Sequence, residues 1–425
     1  MSTLDDSYRE FRRDLHRRPE PAWTEFYTTA RIVSELRERD LTDLHVGPDA
    51  ISTEDRMNVP DGDELDEWER RAREAGADPD IVDELSGGYT GCIAVVERGD
   101  GPVIGLRVDI DALPILEAES DEHVPAAEGF RSEHEGYMHA CGHDVHATIG
   151  LGVLDAVLDS EFAGTLKVFF QPGEEQIVGG KPMAESGHLD DVEYLYAVHI
   201  GLDHPSGEVV CGVDGFLAVR HFLAEFAGEP AHAGARPEEG RNAVQAMAAA
   251  IQNLYAIPRH ADGPTRVNAG LVGGGTATNI VPEESYIEGE VRGATTELAD
   301  YMSEHADRVL ESAAEMHDCE VDVSTLGEAP SATSDDALAG VIGEVAAGVD
   351  GVTEIVESAD LGGSEDATFL MQAVQDNGGL ACYVGVGTDH PGGHHTRTFD
   401  VVEDDVAVGI DVLAGAIQRV AETRP

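Results

Sequence analysis

Lysine is almost absent from this chain of 425 residues. Only Lys167 and Lys181 stand among its 27 basic residues, against 84 acidic ones, and the formal net charge is −57. The acidic residues are spread along the whole chain, and a surface of this kind repels phosphates, which argues against nucleic-acid binding. High charge can indicate disorder, but periodic apolar segments argue against it here. We therefore expect adaptation to high salt, where ions screen the repulsion between like charges.

Long apolar runs are missing as well. No stretch reaches about 18 apolar residues, so no transmembrane helix and no membrane partner are expected. Residues 1–6 are acidic at their end and carry no apolar signal region. We expect a cytoplasmic protein.

Cysteine is scarce, and the spacing of the cysteines indicates no disulfide pairs. The five cysteines are far apart and form no CxxC pair, so no disulfide framework is expected. Four of them are typical of small buried apolar residues. Cys141 differs because histidines surround it.

The pattern up to residue 215 predicts an α/β fold with an open, mostly parallel sheet. An amphipathic helix pair is predicted at 7–39, and the very acidic segment 47–88 is interpreted as a solvated insertion with a short helix near 64–74. Strands are predicted at 92–96, 103–108, 166–170 and 194–199, with a helix at 144–158.

The pattern changes after residue 215. Elements follow in the order β-α-β-β-α-β over 216–328, which is typical of a ferredoxin-like domain. Residues 329–425 then return to helix, buried strand and closing helix. The sequence therefore predicts a discontinuous catalytic domain, 1–215 and 329–425, with a smaller domain at 216–328 inserted into it.

Residues 138–146 concentrate groups that bind metals: three imidazoles, one thiol and one carboxylate. Cys141 and His143 flank Gly142, whose flexibility allows both side chains to converge, and a thiolate beside an imidazole suits zinc and other first-row metals. His139 and His146 are open to two interpretations: each either supports a ligand through a hydrogen bond or caps the helix.

Asp109 and Asp111 lie where a predicted strand runs into a loop before Pro114. Sites in open α/β sheets form at such strand ends. The two aspartates either make an ordinary turn or orient a metal ligand of the nearby histidine cluster.

Glu174 and Glu175 follow the next apolar strand. Adjacent residues of an extended segment point in opposite directions, so one carboxylate can bind a metal while the other faces a bound water. An ordinary acidic turn is the alternative in so acidic a chain.

Two further histidine positions complete the candidate site. His199 ends a strand and is either a ligand or a structural residue. His395 lies in a glycine-rich loop, with His394 as its competitor. Five ligands exceed one tetrahedral site and fit two divalent ions that share a bridging thiolate.

These residues resemble the dinuclear metallopeptidases of the aminoacylase and carboxypeptidase family. The resemblance is greatest to the branch of indole-acetyl-amino-acid, hippurate and aminobenzoyl-glutamate hydrolases. Its motifs match at 107–114, 139–146, 172–175, His199 and 395–400, and they span nearly the whole chain. Thr396 and Arg397 stand where the family usually has a proline.

The resemblance implies a role for each group. Cys141 would bridge two Mn²⁺ or Zn²⁺ ions, and His143, Glu175, His199 and His395 would complete the ligand set. Asp109, Asp111 and His146 would support these ligands.

It also implies how the reaction proceeds. Glu174 would be the general base, which takes a proton from water and returns it to the leaving amine. His232 would stabilise the oxyanion, and Arg292, with Asn279, would bind the α-carboxylate of the substrate. A surface ion pair is the alternative for Arg292.

The resemblance further implies a substrate and an assembly. The substrate would be an N-acyl or N-aroyl amino acid, with p-aminobenzoyl-glutamate favoured over a general acyl-amino-acid or carboxypeptidase substrate. The inserted domain would carry the contacts of a homodimer, and a related second subunit is the alternative partner. A metal-stabilised binding protein without catalysis is the rival from another class.

Overall fold

A computed structural model of the chain describes residues 3–425. Its α-helices are α1 (Asp6–His16), α2 (Phe26–Arg37), α3 (Gly62–Glu74), α4 (Pro79–Glu84), α5 (Val124–Glu128), α6 (His143–Leu158), α7 (Gly180–Ala184), α8 (Ala243–Leu254), α9 (Thr296–Met316), α10 (Asp336–Ala346), α11 (Ala367–Asp376) and α12 (Glu403–Thr423). Its strands are β1 (Asp43–Val46), β2 (Cys92–Arg98), β3 (Val103–Asp109), β4 (Gly164–Gln171), β5 (Tyr194–Ile200), β6 (Glu208–Asp214), β7 (Ala218–Ala227), β8 (Thr265–Gly274), β9 (Glu284–Gly293), β10 (Glu320–Ala329), β11 (Glu354–Asp360) and β12 (Leu380–Val386).

The first compact unit comprises the residues up to Gly215 together with Ala332–Leu361 and Asp366–Pro425. Its eight strands lie in the order β1-β2-β4-β3-β5-β12-β6-β11. The pairs β4/β3, β3/β5, β5/β12 and β6/β11 are parallel, whereas β1/β2, β2/β4 and β12/β6 are antiparallel. The predicted open, mostly parallel α/β sheet is confirmed.

The central strands of this sheet are almost entirely buried because helices cover both faces. Every residue of β5 is buried, and so is every residue of α6 from His143 to Leu154. The helix α6 packs against α1, α12 and β3. It therefore holds the metal-binding motif at its first turn in a rigid environment.

The second unit comprises Phe216–Ser331 and Gly362–Glu365. Its four strands are antiparallel in the order β10-β7-β9-β8, and α8 and α9 contact them. This is the predicted ferredoxin-like arrangement. The sequence predicted that this unit ends at residue 328, three residues before the observed end of its first segment at Ser331. Its second segment, Gly362–Glu365, was not predicted.

The acidic segment 47–88 is not simply solvated, and that interpretation is wrong for one face of α3. Leu65, Trp68 and Ala72 are buried in the main core of the first unit. The Trp68 ring makes edge contacts with Tyr137 and His134, with ring centroids 5.1 and 5.3 Å apart. The charges of α3 occupy its outer face, and its inner face covers the loop that precedes the metal-binding motif.

No helix within residues 3–425 combines the length and the apolar character needed to cross a membrane.

Candidate metal centre

The site lies where three parallel strands end at one edge of the sheet. Asp109 ends β3, Gln171 ends β4 and His199 is the last residue but one of β5. Because β3 lies between β4 and β5, the three carboxyl ends meet in one crevice.

Gly142 turns the chain from the loop into α6. Its φ of +88° belongs to the left-handed region, where a side chain is strained. A Cβ atom at this position would lie 2.5 Å from Cγ2 of Ile200. Glycine is therefore required on both grounds for Cys141 and His143 to face the same crevice.

His146 supports the site without offering a ligand atom. Its Nδ1–H donates to Oδ1 of Asp109 at 2.5 Å, and its Nε2 accepts from the N–H of Ile200 at 2.8 Å. Both ring nitrogens are therefore used. Burial opposes ionisation of Asp109, but the charges of His143, His146 and Arg107 outweigh it and hold the pKa of Asp109 well below its usual value.

His143 offers one ring nitrogen to the crevice. Its Nδ1 lies 3.1 Å from Oδ1 of Asp111, whereas its buried Nε2 has no hydrogen-bond partner. That Nε2 lies 3.7 Å from Oε1 of Glu175 and 3.9 Å from Oε2 of Glu174. Burial lowers the pKa of His143, but the surrounding carboxylates prevail and raise it to about 10. The crevice therefore attracts positive charge strongly.

Glu174 and Glu175 do not diverge as an extended segment would make them. The strand β4 ends at Gln171, and both glutamates lie in a turn that the N–H of Ile177 closes on the carbonyl of Glu174 at 2.7 Å. Both carboxylates therefore reach the same ring nitrogen of His143, and the predicted opposite orientation is wrong. Asp111 holds this turn, because its Oδ2 accepts from the N–H of Glu175 at 3.0 Å.

His199 presents a ring nitrogen to the thiol. Its Nδ1–H donates to the carbonyl of Ile200 at 2.7 Å, which leaves Nε2 with its lone pair 3.4 Å from Sγ of Cys141. Burial lowers the pKa of His199 well below its usual value. The ring is thus neutral, as metal ligation requires.

His394 and His395 approach the site from different sides. Nδ1 of His394 lies 3.6 Å from Sγ of Cys141, while its Nε2 accepts from the N–H of Leu202 at 3.0 Å. Nε2 of His395 lies 3.4 Å from Oε2 of Glu175. A neutral ring carries one proton, so His394 carries it on Nδ1 and can donate it to the sulfur. The hydrogen bonds thus favour His395 over His394 as a ligand.

The donor set fits divalent first-row metals. Donor atoms of Cys141, His143 and Glu175 lie within 4.8 Å of one another. Those of Cys141, His199 and His394 do so as well, although the His394 nitrogen that faces the sulfur carries its proton. Cys141 belongs to both groups, as expected of a thiolate shared by two ions. Its sulfur, two imidazole nitrogens with available lone pairs and a carboxylate match the ligands that zinc and manganese take.

The predicted substrate-binding residues all belong to the second unit. Nδ1 of the exposed His232 accepts from the N–H groups of Gly234 and Ala235, each at 3.1 Å. The carbonyl of Asn279 accepts from the N–H of Ala233 at 3.0 Å, so Asn279 and His232 lie on adjoining segments. Arg292 donates to Glu290 at 2.9 Å and to Ser364 at 3.3 Å.

Sequence reasoning missed several buried polar residues behind the crevice. Arg107 binds Asp109, Gln171 and Asp366 through its guanidinium at 2.6, 2.8 and 3.2 Å. Glu20 and Glu25 are fully buried as well. Nothing in the local sequence distinguishes these two glutamates from surface acids, because the partners that they bind lie elsewhere in the chain or in the next helix.

Comparison with known proteins identifies the family. Residues 105–419 match the model of peptidase family M20/M25/M40. The chain is 40% identical to indole-3-acetyl-aspartic acid hydrolase of Enterobacter agglomerans, over 95% of this chain and 94% of that protein. It is 38% identical to one of the subunits of p-aminobenzoyl-glutamate hydrolase of Escherichia coli, over 97% and 96%.

Solved structures support the same family assignment. The aminobenzoyl-glutamate utilization protein of Klebsiella pneumoniae matches with a TM-score of 0.85 and 34% identity, over 98% of this chain and 97% of that one. A dinuclear metal-binding peptidase of Bacillus subtilis matches with a TM-score of 0.66 and 26% identity, over 99% and 100%. The chain therefore belongs to peptidase family M20/M25/M40, and it is a hydrolase of amide bonds.

Proposed function

We propose that the chain cleaves N-acyl or N-aroyl derivatives of acidic amino acids, with p-aminobenzoyl-glutamate as the favoured substrate. Two relatives at 38% and 40% identity, both matched over nearly their full length, are named for amides of glutamate and aspartate. The observation that carries the chemistry is the pair Glu174 and Glu175, whose carboxylates flank the orphaned Nε2 of His143. A site that only stabilises the fold would not need a second carboxylate there.

The proposed ligands are Cys141, His143, Glu175, His199 and His395. Two divalent ions held by this set would polarise the amide carbonyl and increase the acidity of a bound water. Glu174 would take a proton from the attacking water and deliver it to the leaving amine. Asp109, Asp111 and His146 hold the ring and backbone groups of the ligands in place, as their hydrogen bonds indicate.

His232 is proposed to donate a hydrogen bond to the oxyanion that forms during hydrolysis. Because its Nδ1 already accepts two backbone hydrogen bonds, the single proton of the neutral ring resides on Nε2. The Nε2–H group of His232 is therefore available to donate a hydrogen bond, which is what an oxyanion site requires.

Arg292 and Asn279 are proposed to bind the α-carboxylate of the substrate. Glu290 holds the Arg292 guanidinium from one side, which fixes its direction and leaves other N–H groups available. Glu290 stays ionised, because hydrogen bonds from His221 and Arg292 lower its pKa to about 2.

A substrate panel with one variant tests the proposal. The purified chain, loaded with Mn²⁺ or Zn²⁺, is assayed against p-aminobenzoyl-glutamate, indole-acetyl-aspartate, hippurate and simple acetyl-amino acids. We expect turnover that requires an acidic amino acid. Glu174→Gln should keep both metal ions, measured by elemental analysis, and lose at least about 10²-fold in kcat, because a general base contributes this much.

Other outcomes would redirect the assignment. Equal turnover of hippurate and acetyl-amino acids would indicate a general N-acyl-amino-acid hydrolase. Parent-like turnover by Glu174→Gln would remove Glu174 as the base. One metal ion per chain without any hydrolysis would indicate a metal-stabilised binding protein.

We also propose that the chain assembles as a homodimer or with a related second subunit. The Escherichia coli relative is named as one subunit of its hydrolase. Sedimentation of the purified chain distinguishes a dimer from a monomer, and a monomer that gains activity on addition of a second subunit supports the other assembly. All five cysteines are buried thiols outside any disulfide, which fits the reducing cytoplasm that we propose as the compartment of the protein.

A further inference from the structure

The backbone around Glu174 is held by two buried carboxylates. Asp111 accepts from the N–H of Glu175 at 3.0 Å, and Glu25 accepts from the N–H of Gly173 at 2.8 Å. The N–H groups of the two residues on either side of Glu174 are therefore both fixed by side chains from other parts of the chain. Asp111 comes from the loop after β3, and Glu25 immediately precedes α2.

Glu25 does not serve its own helix. It occupies the N-cap position of α2 but makes no side-chain bond to the first turn. Glu20 performs that task, because its two oxygens accept from the N–H groups of Tyr27 and Thr28, each at 2.8 Å. The carboxylate of Glu25 instead bonds Gly173 and the hydroxyl of Thr90, the latter at 2.6 Å.

The two hydrogen bonds of Glu25 require the burial of a carboxylate, which costs desolvation free energy. It is fully buried, and among the ion pairs of residues 3–425 none joins it to an arginine, lysine or histidine. Burial and the nearby Asp111 both raise its pKa well above the usual value. A glutamine could also bond Gly173 and Thr90, and its amide carries no charge to bury.

The turn at residues 173–178 is tight, and its backbone has little room to shift. Gly173 has a φ of +68°, and a Cβ there would meet Val178 at 2.8 Å. The N–H of Val178 donates back to the carbonyl of Gly173 at 3.0 Å. A shift of Gly173 therefore moves Glu174 directly, since the two residues share a peptide unit.

We propose that Glu25 is a positioning residue for the general base: with Asp111 it clamps the N–H groups of Gly173 and Glu175, the residues on either side of Glu174, and so sets the place of the Glu174 carboxylate. This rests on the proposed function of Glu174. The clamp itself is a property of the backbone and can be measured without any turnover.

The test compares Glu25→Ala with the matched control Glu20→Ala in the metal-loaded chain. Both variants remove a fully buried glutamate from the same segment, but only Glu25 touches the turn at 173–178. We expect Glu25→Ala to lower kcat by about 10- to 100-fold with little change in KM, because small misplacements of catalytic groups cost this much. Glu20→Ala should lower the melting temperature and leave kcat close to the parent value.

Two further measurements make the result decisive. Glu25→Gln keeps an oxygen for Gly173 and an amide for Thr90, so it should restore most of kcat and raise the melting temperature. Amide hydrogen exchange of the segment 172–178 should accelerate in Glu25→Ala and not in Glu20→Ala. If Glu25→Ala does not fold, Thr90→Val, which removes only the hydroxyl donor, should show the same changes to a smaller degree.

The outcomes separate the clamp from the proposed function. Parent-like kcat together with parent-like exchange at 172–178 in Glu25→Ala would overturn the clamp. If amide exchange at 172–178 is faster in Glu25→Ala and Glu174→Gln still hydrolyses the substrate, the clamp is retained and Glu174 is rejected as the general base.

Discussion

Hydrogen bonds to ring nitrogens distinguish the histidines of the site. His146 uses both nitrogens on Asp109 and Ile200, whereas His143 and His199 each use one and leave Nε2 available. His394 uses Nε2 on Leu202, and His395 faces Glu175. Metal-binding capacity at this site therefore follows from which nitrogen the backbone and the aspartates already occupy.

This gives different expectations for two adjacent residues. With His395 as the proposed ligand beside Glu175, His395→Ala should reduce the metal content from two ions to one. His394→Ala should keep both ions and lower kcat, because it removes a proton donor to the thiolate. Elemental analysis after dialysis measures the difference. Loss of an ion from His394→Ala and not from His395→Ala would exchange the two roles.

A second expectation concerns pH and rests on His16. Burial disfavours the charged ring, but hydrogen bonds to Asp144 at 2.9 Å and Glu117 at 3.1 Å outweigh it and raise the pKa of His16 from 6.5 to about 9. A raised folded-state pKa stabilises the fold fully below pH 6.5, and the contribution is lost as pH rises through about 9.

Chemical denaturation at several pH values tests this. The parent should lose stability on the order of 3 kcal/mol more than His16→Gln between pH 6.5 and 9, at about 1.4 kcal/mol per pKa unit. Parallel curves for the two proteins would show that His16 does not titrate in this range.

Among the elements, α3 departs most from what its composition indicates. Its residues are mostly charged, yet Leu65, Trp68 and Ala72 recur at helical spacing and are buried. Trp68 is 2% exposed. The helix thus packs onto the loop before Cys141 rather than standing in solvent.

Trp68→Ala should therefore destabilise the first unit by about 3–5 kcal/mol, the usual cost of truncating a buried tryptophan. It should also weaken metal binding, since Trp68 contacts Tyr137, close to Cys141. Asp66→Ala on the exposed face of α3 is the control and should change the midpoint of denaturation little. Equal midpoints for both variants would restore the interpretation of a solvated segment.

The elements that sequence predicted well are those with clear periodicity. The strands β2 to β5, the helix α6 and the order of elements in the second unit were all predicted, and the structure confirms them. The strands β1, β6 and β11 were missed: β11 is largely exposed with acidic residues, and β6 contains Gly212 and stands between Gly207 and Gly215. Spacing and resemblance predicted the candidate ligands, and the structure brings several of them within 4.8 Å of one another. Glu20 and Glu25 were not predicted, because nothing local shows which distant amide a buried acid will hold.

At the scale of the whole molecule, the net negative charge makes the stability of the fold depend on salt. A net charge of −57 opposes compaction at low ionic strength, because the screening length grows from about 3 Å at 1 M salt to about 30 Å at 0.01 M. The melting temperature should therefore fall steeply when KCl is removed, and sucrose at matched osmolality should not restore it. An unchanged melting temperature and full activity in dilute buffer would reject adaptation to high salt.

The place of β12 in the sheet has a consequence for synthesis on the ribosome. β12 lies between β5 and β6, yet it is made more than 160 residues after them, since β6 ends at Asp214 and β12 begins at Leu380. The second unit's sheet, with all its strands between Ala218 and Ala329, can close while β5 and β6 still expose unpaired edges. Such edges invite pairing between nascent chains. The gap closes only when β12 emerges and pairs with both β5 and β6.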